Sequence, residues 1–181
     1  MILPKKIFLT KGVGVAKEKL ASFESALRDA DIAPYNIVRV SSIYPPYCKL
    51  ITKQAGLKYL TLGQILFTVV AECSTNEPNR LIASSVGMSL PKKNEQYGYL
   101  SEAHTYGWTE KKTGEYAEDL AASMLATILG VKFDPDESYD VKKEQWKISN
   151  EIVKTRALTQ SAVGDKNGHW TTVIAAAVLI H

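Results

Sequence analysis

The alternation of apolar and polar residues along the chain predicts a protein built mainly from strands. Runs rich in β-branched and aromatic residues, bounded by glycine, proline, asparagine or serine, are typical of strands. Turn-forming segments separate these runs, and two helices are predicted between them. The predicted strands span Lys5–Thr10, Asn36–Ile43, Gln64–Cys73, Leu81–Leu90, Tyr97–Tyr106, Trp146–Thr159 and His169–Ile180.

The first helix is predicted from Ala16 to Ala30, where Leu20, Phe23 and Leu27 recur at helical spacing. It is expected to end before Pro34, because proline cannot continue a helix and restricts the residue before it.

The second helix is predicted from Lys111 to Leu129, with Gly130 as its stop. Its large apolar residues form a stripe that is expected to pack in the core: Tyr116, Leu120, Met124 and Ile128. The segment Val163–Gly168 contains Asn-Gly and favours a hairpin between the last two strands. Together these elements predict an α+β fold, in which a mostly antiparallel sheet system is covered by two long helices.

Composition and charge narrow the class of protein. Of the 181 residues 45% are hydrophobic, so one domain over residues 1–181 can bury a core without disulfides or metal. The 22 Lys and Arg residues are scattered and balanced by 19 Asp and Glu, which does not support nucleic-acid binding. Cys48 and Cys73 lack the spacing of a paired motif, which favours a reducing cytoplasm. The apolar run Val173–Ile180 is far shorter than the roughly 20 residues that span a bilayer, and the N-terminus lacks the apolar core of a signal peptide.

Generic motifs assign no chemistry to this chain. The segment Gly12-Val13-Gly14 could offer backbone N–H groups to an anion, but the lysine–hydroxyl pair of a phosphate loop is missing, so a simple turn is predicted. No metal site is expected, because His104, His169 and His181 do not have metal-binding spacing. The Gly-x-Ser-x-Gly signature of many hydrolases is also absent.

A longer pattern around a serine pair is more specific. A helix carrying Glu24 is followed by Asn36, a short strand, the pair Ser41-Ser42, an aliphatic residue and, after Tyr44, two prolines. Ser-Ser alone is weak evidence, since Ser84-Ser85 is a second such pair. In this context, and with Gly98-Tyr99-Leu100-Ser101-Glu102 downstream, the chain resembles the pyruvoyl-dependent arginine decarboxylase family from about Phe8 to Leu179.

The resemblance implies a fold, an activity and an assembly. The fold would be a four-layer αββα sandwich, and the chain would cut itself between Ser41 and Ser42 into a β chain, 1–41, and an α chain, 42–181. It would decarboxylate arginine to agmatine, with polyamine synthesis or acid resistance as the pathway that uses the product. The processed units would form a cytoplasmic trimer or hexamer with active sites shared between neighbours, and no partner nucleic acid or membrane is expected.

The cofactor implied by the resemblance is a pyruvoyl group made from Ser42. The Ser42 hydroxyl would attack the carbonyl of Ser41 to give an ester, and β-elimination followed by hydrolysis would leave a ketone at position 42. That ketone would form a Schiff base with the substrate amine and accept the electrons released with CO₂. A strained turn and a donor to the developing oxyanion would assist the cut.

Three further residues are assigned by the resemblance. Asn36 would assist the cleavage, although a turn or cap after Pro34 is the simpler interpretation. Glu102 would reprotonate the product as a general acid, unless it is an edge-strand charge that points to water. Glu24 would bind the substrate guanidinium, whereas the family usually has aspartate there; it could instead accept a shorter cation or lie on a solvated face.

Two alternatives to arginine decarboxylation stay open. The chain could be a pyruvoyl-dependent decarboxylase of another amino acid, or an uncleaved relative that acts only as an oligomeric binding protein.

Overall fold

The computed structural model describes residues 3–130 and 152–181, and this part of the chain contains nine strands and three helices. The strands are β1 (Lys6–Ala16), β2 (Asn36–Arg39), β3 (Ile43–Tyr44), β4 (Lys49–Leu50), β5 (Ile65–Thr75), β6 (Leu81–Pro91), β7 (Gly98–Tyr106), β8 (Ile152–Val163) and β9 (Trp170–Ile180). The helices are α1 (Lys19–Asp29), α2 (Lys53–Leu57) and α3 (Glu110–Leu129). Residues 146–151, the start of one predicted strand, lie outside the described residues.

Two sheets form the centre of the molecule. Sheet A has the strand order β2-β5-β9-β1-β4, and sheet B has the order β3-β7-β6-β8. Most neighbouring strands are antiparallel, and the exceptions are the parallel pairs β1–β4 and β2–β5. Strand β1 pairs with β9 along its whole length, from Lys6 opposite Ile180 to Ala16 opposite Trp170.

The apolar residues form separate layers on the two faces of each sheet. Helix α1 packs on the outer face of sheet A, and α3 packs on β6, β7 and β8 of sheet B. The core between the sheets includes Val69, Val86, Leu100 and Ala177. The core between α1 and sheet A includes Phe8, Ala26, Ile32 and Ile174. The αββα sandwich is thereby confirmed.

The segment Gly12–Gly14 is not the predicted turn but the middle of strand β1. A Cβ atom on Gly14 would lie 2.2 Å from the Ser22 carbonyl oxygen and 2.4 Å from the Ala26 nitrogen. Both atoms belong to the backbone of α1, which therefore approaches β1 more closely than any side chain allows. The glycines are there for helix packing, and the chain reaches α1 only at Lys19.

Gly14→Ala is expected to lower stability, because the new methyl group must push the α1 backbone away from the sheet. Overpacking of this kind costs about 2–3 kcal/mol, or roughly 5–10 °C in Tm for a chain of this size. Thermal unfolding followed by circular dichroism measures the effect. Val15→Ala, at an exposed position on the same strand, is the matched control, and an equal loss of Tm in both variants would contradict the packing argument.

Helix α3 packs on sheet B with a different face from the predicted apolar stripe. Tyr116 and Ile128 are 48% and 45% exposed, and the face that packs on sheet B consists mainly of small residues. The buried positions are Thr113, Gly114, Ala117, Glu118, Ala121, Ala122, Leu125 and Ala126. The prediction was wrong because small side chains carry little weight in an apolar pattern, yet they allow close contact. The helix ends at Gly130, as predicted, with φ of 66°.

Two connections also differ from the prediction. Segment 163–168 is not a hairpin, because β8 belongs to sheet B and β9 to sheet A. The predicted strand Asn36–Ile43 is divided into β2, at the edge of sheet A, and β3, at the edge of sheet B. The short elements β4 and α2 were not predicted at all. The divided strand matters most, since the serine pair lies at the division.

Candidate active site

The serine pair connects the two sheets at one edge of the sandwich. Just before it, the Val40 amide donates to the Thr68 carbonyl of sheet A at 3.1 Å. Just after it, the Leu100 amide of sheet B donates to the Ser42 carbonyl at 2.7 Å. The chain therefore passes between sheets within two residues. Ser41 is exposed and Ser42 is half-buried.

The backbone makes a tight turn at Ser42. The Ile43 amide donates to the Ser41 carbonyl at 3.0 Å, which closes a three-residue turn with Ser42 at its centre. Ser42 does not have positive φ, so the turn is of the inverse γ type. An N–H group thus points at the oxygen on which negative charge would develop if the Ser42 hydroxyl attacked this carbonyl.

The residues after the turn hold it in place. Tyr44 and Pro45 are buried, and the Tyr44 hydroxyl donates to the Cys48 carbonyl at 2.9 Å. Burial raises the pKa of the Cys48 thiol to about 11 and also raises the pKa of Tyr44. Neither side chain is therefore ionised near neutral pH, and the pair serves as a packed support on the downstream side of the turn.

The second serine pair lies in a different environment. Ser84 and Ser85 are fully buried in the middle of β6, which is bonded to β7 on one side and β8 on the other. The Ser85 hydroxyl is shared with the Thr159 hydroxyl at 2.8 Å. A central strand that is paired on both sides has no such turn, so of the two serine pairs it is Ser41-Ser42 that lies in a tight turn.

Glu102 is close to the turn along strand β7. The Ser42 carbonyl is bonded to the Leu100 amide, and Glu102 follows two residues later on the same face of the strand. Loss of water around the carboxyl group raises its pKa above the ordinary value, while Arg39 and His104 lower it in part. Glu102 lies at an exposed rim of the sandwich, but its proton is held more firmly than that of a free glutamate.

Arg39 and Glu72 were not assigned any role from the sequence. Arg39 ends strand β2, and its Nη2 atom lies 2.5 Å from Oε2 of Glu72 on β5. The signal in the sequence was Glu72, because a carboxylate within the otherwise uncharged stretch from Phe67 to Cys73 requires a partner.

Asn36 lies at the opposite end of β2 from the serine pair. Its side-chain amide donates to the Gly63 carbonyl at 2.6 Å, and its backbone amide donates to Gln64. About 13 Å of extended strand separates the Cα atoms of Asn36 and Val40. The structure therefore does not bring Asn36 to the Ser41 carbonyl within one chain, and its contacts are those of a turn residue.

Glu24 also lies apart from the serine pair within one chain. It is on α1, outside sheet A, whereas Ser42 is bonded to sheet B. Its Oε1 atom is 2.6 Å from Nε of Arg28, one turn later. Glu24 lines a surface pocket of about 370 Å³ together with Arg28, Asp31, Ala33 and Pro34.

The described residues contain neither a cluster of metal ligands nor a membrane-spanning helix. Across 3–130 and 152–181, His, Cys, Asp and Glu side chains do not gather in groups of three that could hold a metal ion. Within the same ranges, none of the helices has the length and apolar character needed to cross a membrane.

The comparisons with known proteins agree with one another over nearly the whole chain. The family model for pyruvoyl-dependent arginine decarboxylase matches residues 6–181. A probable pyruvoyl-dependent arginine decarboxylase of Chloroherpeton thalassium is 61% identical, covering 98% of both chains. The pyruvoyl-dependent arginine decarboxylase of Nitrosopumilus maritimus is 54% identical, and pyruvoyl-dependent arginine decarboxylase 2 of Methanosarcina acetivorans is 52% identical; each covers 99% of this chain and 98% of the relative.

The chain belongs to the pyruvoyl-dependent arginine decarboxylase family. Membership implies a covalently bound pyruvoyl group, and a serine of the chain is the residue expected to form it. The group requires a serine whose preceding carbonyl is bent toward its hydroxyl and has a donor at its oxygen. At Ser42 the second condition is met, since the Ile43 amide is bonded to the Ser41 carbonyl in a turn centred on Ser42.

Proposed function

We propose that this protein cuts itself between Ser41 and Ser42 and then decarboxylates arginine to agmatine and CO₂. The observation that carries the proposal is the turn at Ser42, where the scissile carbonyl already accepts the Ile43 amide. Membership of the decarboxylase family supports the reaction type, the covalent pyruvoyl cofactor and the substrate.

The cut begins with the Ser42 hydroxyl. Its oxygen attacks the Ser41 carbonyl carbon, the C–N bond breaks, and the amide becomes an ester with a free amine at residue 42. Removal of the α-proton of residue 42 then breaks the Cβ–O bond, which releases Ser41 as a carboxylate and leaves dehydroalanine. Addition of water and loss of ammonia complete the ketone. The chain is thereby divided into 1–41 and 42–181.

Asn36 contributes to this cut through the backbone. Its hydrogen bond to the Gly63 carbonyl fixes the start of β2, and β2 leads directly to the serine pair. We therefore propose Asn36 as a positioning residue for cleavage rather than as the donor to the oxyanion, a place that the Ile43 amide occupies.

Turnover needs an electron sink and a proton. The pyruvoyl group supplies the electron sink for loss of CO₂. Glu102 then donates the proton to the carbon that lost its carboxylate. Because burial favours the neutral form of this carboxyl group, more of it carries a proton near neutral pH than an ordinary glutamate would.

Glu24 binds the guanidinium group of arginine in this proposal. Within one chain, α1 and the serine pair lie in different layers, so Glu24 must come from a neighbouring copy. Exposed apolar residues in and around β2 support such a contact, because large apolar side chains on a surface are typical of an interface with another chain. Leu62 and Ile65 are 77% and 61% exposed, and Val38 and Ile43 are exposed as well. The assembly is then a homo-oligomer, proposed as a trimer or a hexamer, and its location is proposed as cytoplasmic.

Glu24→Gln is expected to raise KM for arginine with little change in kcat, since the charge lies on the binding side and not at the reacting carbon. Loss of one charge-assisted pair corresponds to about a tenfold to hundredfold increase. Steady-state CO₂ release gives both constants. Glu18→Gln, just before α1 and without a side-chain cap bond, is the matched control, and an unchanged KM in Glu24→Gln would remove Glu24 from the binding site.

Intact-mass spectrometry is the direct test of the whole proposal. We expect two fragments, one that ends at Ser41 and one that begins at residue 42. The first residue of the second fragment should react with a hydrazine reagent. A single unmodified chain would indicate an uncleaved binding protein. Assays with arginine, histidine, ornithine, lysine and aspartate then decide whether the processed protein acts on arginine or on another amino acid.

A further inference from the structure

The edge of the sandwich opposite the serine pair contains a cavity between the two sheets. At this edge sheet A ends with β4 and sheet B ends with β8. Leu9 of β1 and Leu50 of β4 line the cavity from sheet A, and Leu158 of β8 lines it from sheet B. Its volume is about 390 Å³, which is within the range of small-molecule sites. The cavity therefore has apolar walls and room for a small ligand.

Three cations line the same cavity, although they are far apart in the sequence. They are Lys53 of α2 and Lys154 and Arg156 of β8, and none of the described residues that line the cavity is acidic. Lys53 is already paired, with 2.7 Å between its Nζ atom and Oδ2 of Asp31. In the part of the chain that the structure describes, no ion pair joins Lys154 or Arg156 to a carboxylate. The cavity thus carries two positive charges that the described residues do not neutralise.

The two β8 cations lie on the face of the strand that points toward sheet A. Alternate residues of a strand share a face, so Lys154 and Arg156 share the face of Leu158. Leu158 is opposite Val86, which belongs to the core between the sheets. Inward charges can protect an edge strand from pairing with another chain. That role requires neither a third cation nor a cavity with apolar walls, whereas a bound anion explains all three features.

We propose that this cavity binds a small organic dianion, with carboxylate or phosphate groups at the cations and a short hydrocarbon body against the leucines. The fork of Arg156 matches a carboxylate or phosphate group with two parallel hydrogen bonds. Lys154 is about 7 Å away along the strand, so it can meet a second anionic group of the same ligand. Lys53 adds a charge that it shares with Asp31.

Isothermal titration calorimetry with glutarate and with phenyl phosphate tests this proposal. Both probes carry two negative charges on a short apolar body, and the pair distinguishes a carboxylate ligand from a phosphate ligand. Saturable binding of at least one probe is expected, with one site per chain. Butyrate has a single charge and should bind more weakly. Ionic strength is kept constant, because salt screens contacts between exposed charges.

Substitutions at the cations show where the probe binds. Arg156→Gln is expected to weaken binding about tenfold to hundredfold, which corresponds to loss of one charge-assisted contact. Lys154→Gln should weaken it in the same direction, and Arg156→Lys should recover part of the affinity because it keeps the charge. The matched control is Lys166→Gln, which removes an exposed lysine just beyond the other end of β8 and should bind like the wild type.

Three results would overturn the proposal. In the first, neither probe binds the wild type in a saturable way, and the cations then protect the edge strand only. In the second, Lys166→Gln weakens binding as much as Arg156→Gln, which indicates attraction to the overall positive charge. In the third, binding is lost in the uncut variant Ser42→Ala, which places the ligand at the serine pair instead. If Arg156→Gln does not fold, Lys154→Gln and Arg156→Lys provide the same comparison.

This inference does not depend on the proposed function. The cavity and the serine pair lie at opposite edges of the sandwich, so Ser42→Ala should bind the probe with the wild-type Kd. Absence of the cut or of CO₂ release would therefore contradict the proposed function and leave the binding result unchanged.

Discussion

Ser42→Ala is expected to leave the protein as one uncut chain without decarboxylase activity. The substitution removes the hydroxyl that we propose attacks the Ser41 carbonyl, so neither the ester nor the ketone can form. Both effects are all-or-none, since an unmodified chain has no electron sink for the departing CO₂. Intact-mass spectrometry measures the cut, and release of labelled CO₂ from arginine measures the activity. Ser42 is only half-buried, so the fold should tolerate the change.

Ser41→Ala is the matched control for this prediction. Residue 41 contributes only its carbonyl, which accepts the Ile43 amide whatever the side chain. This variant is therefore expected to cut itself and to decarboxylate arginine. A cut that persists in Ser42→Ala, or one that is lost in Ser41→Ala alone, would show that the attacking group has been assigned to the wrong residue.

Glu102→Gln is expected to separate cleavage from turnover. The variant should be cut like the wild type, because the hydroxyl of Ser42 and the amide of Ile43 remain in place. Its kcat should fall by roughly 10²–10⁴-fold, the usual contribution of general acid catalysis, since an amide cannot donate the proton. Single-turnover release of CO₂ and the rate of agmatine formation give the measurement.

The control for this variant is Glu95→Gln, in the exposed loop between β6 and β7. It removes a carboxylate of the same kind from the same region and should have wild-type kcat. If Glu102→Gln retained wild-type turnover, another group would have to supply the proton. If it remained uncut, Glu102 would belong to the cleavage step instead.

The contact between α1 and β1 is an example of packing that the sequence pattern does not predict. Gly12 and Gly14 predicted a turn from composition alone, since glycine is common in turns. In the structure they lie in a strand and admit a helix backbone at a distance that excludes a Cβ atom. No local pattern contains this information, because the atoms that require glycine are eight or more residues away along the chain.

Some residues of the candidate site could be recognised from the sequence, and others only from the structure. The position of Ser41-Ser42 between a strand and two prolines could be recognised from sequence, and so could the acidic residue at Glu102. The ion pair of Arg39 with Glu72 joins residues that are 33 apart in the chain, so it became visible only when β2 paired with β5. Asn36 was expected near the Ser41 carbonyl, but within one chain the extended strand β2 keeps the two apart.

By itself the sequence determined the strand-rich α+β class, most element positions and the family resemblance, and it led to the proposal of Ser42, because these depend on local periodicity and on a contiguous motif. Only the tertiary structure decided that the predicted strand around the serine pair divides between two sheets, with a turn that directs the Ile43 amide at the Ser41 carbonyl. The physical reason is that each half of this segment bonds to a different partner, β5 or β7. Those partners are brought to the same edge by the fold as a whole.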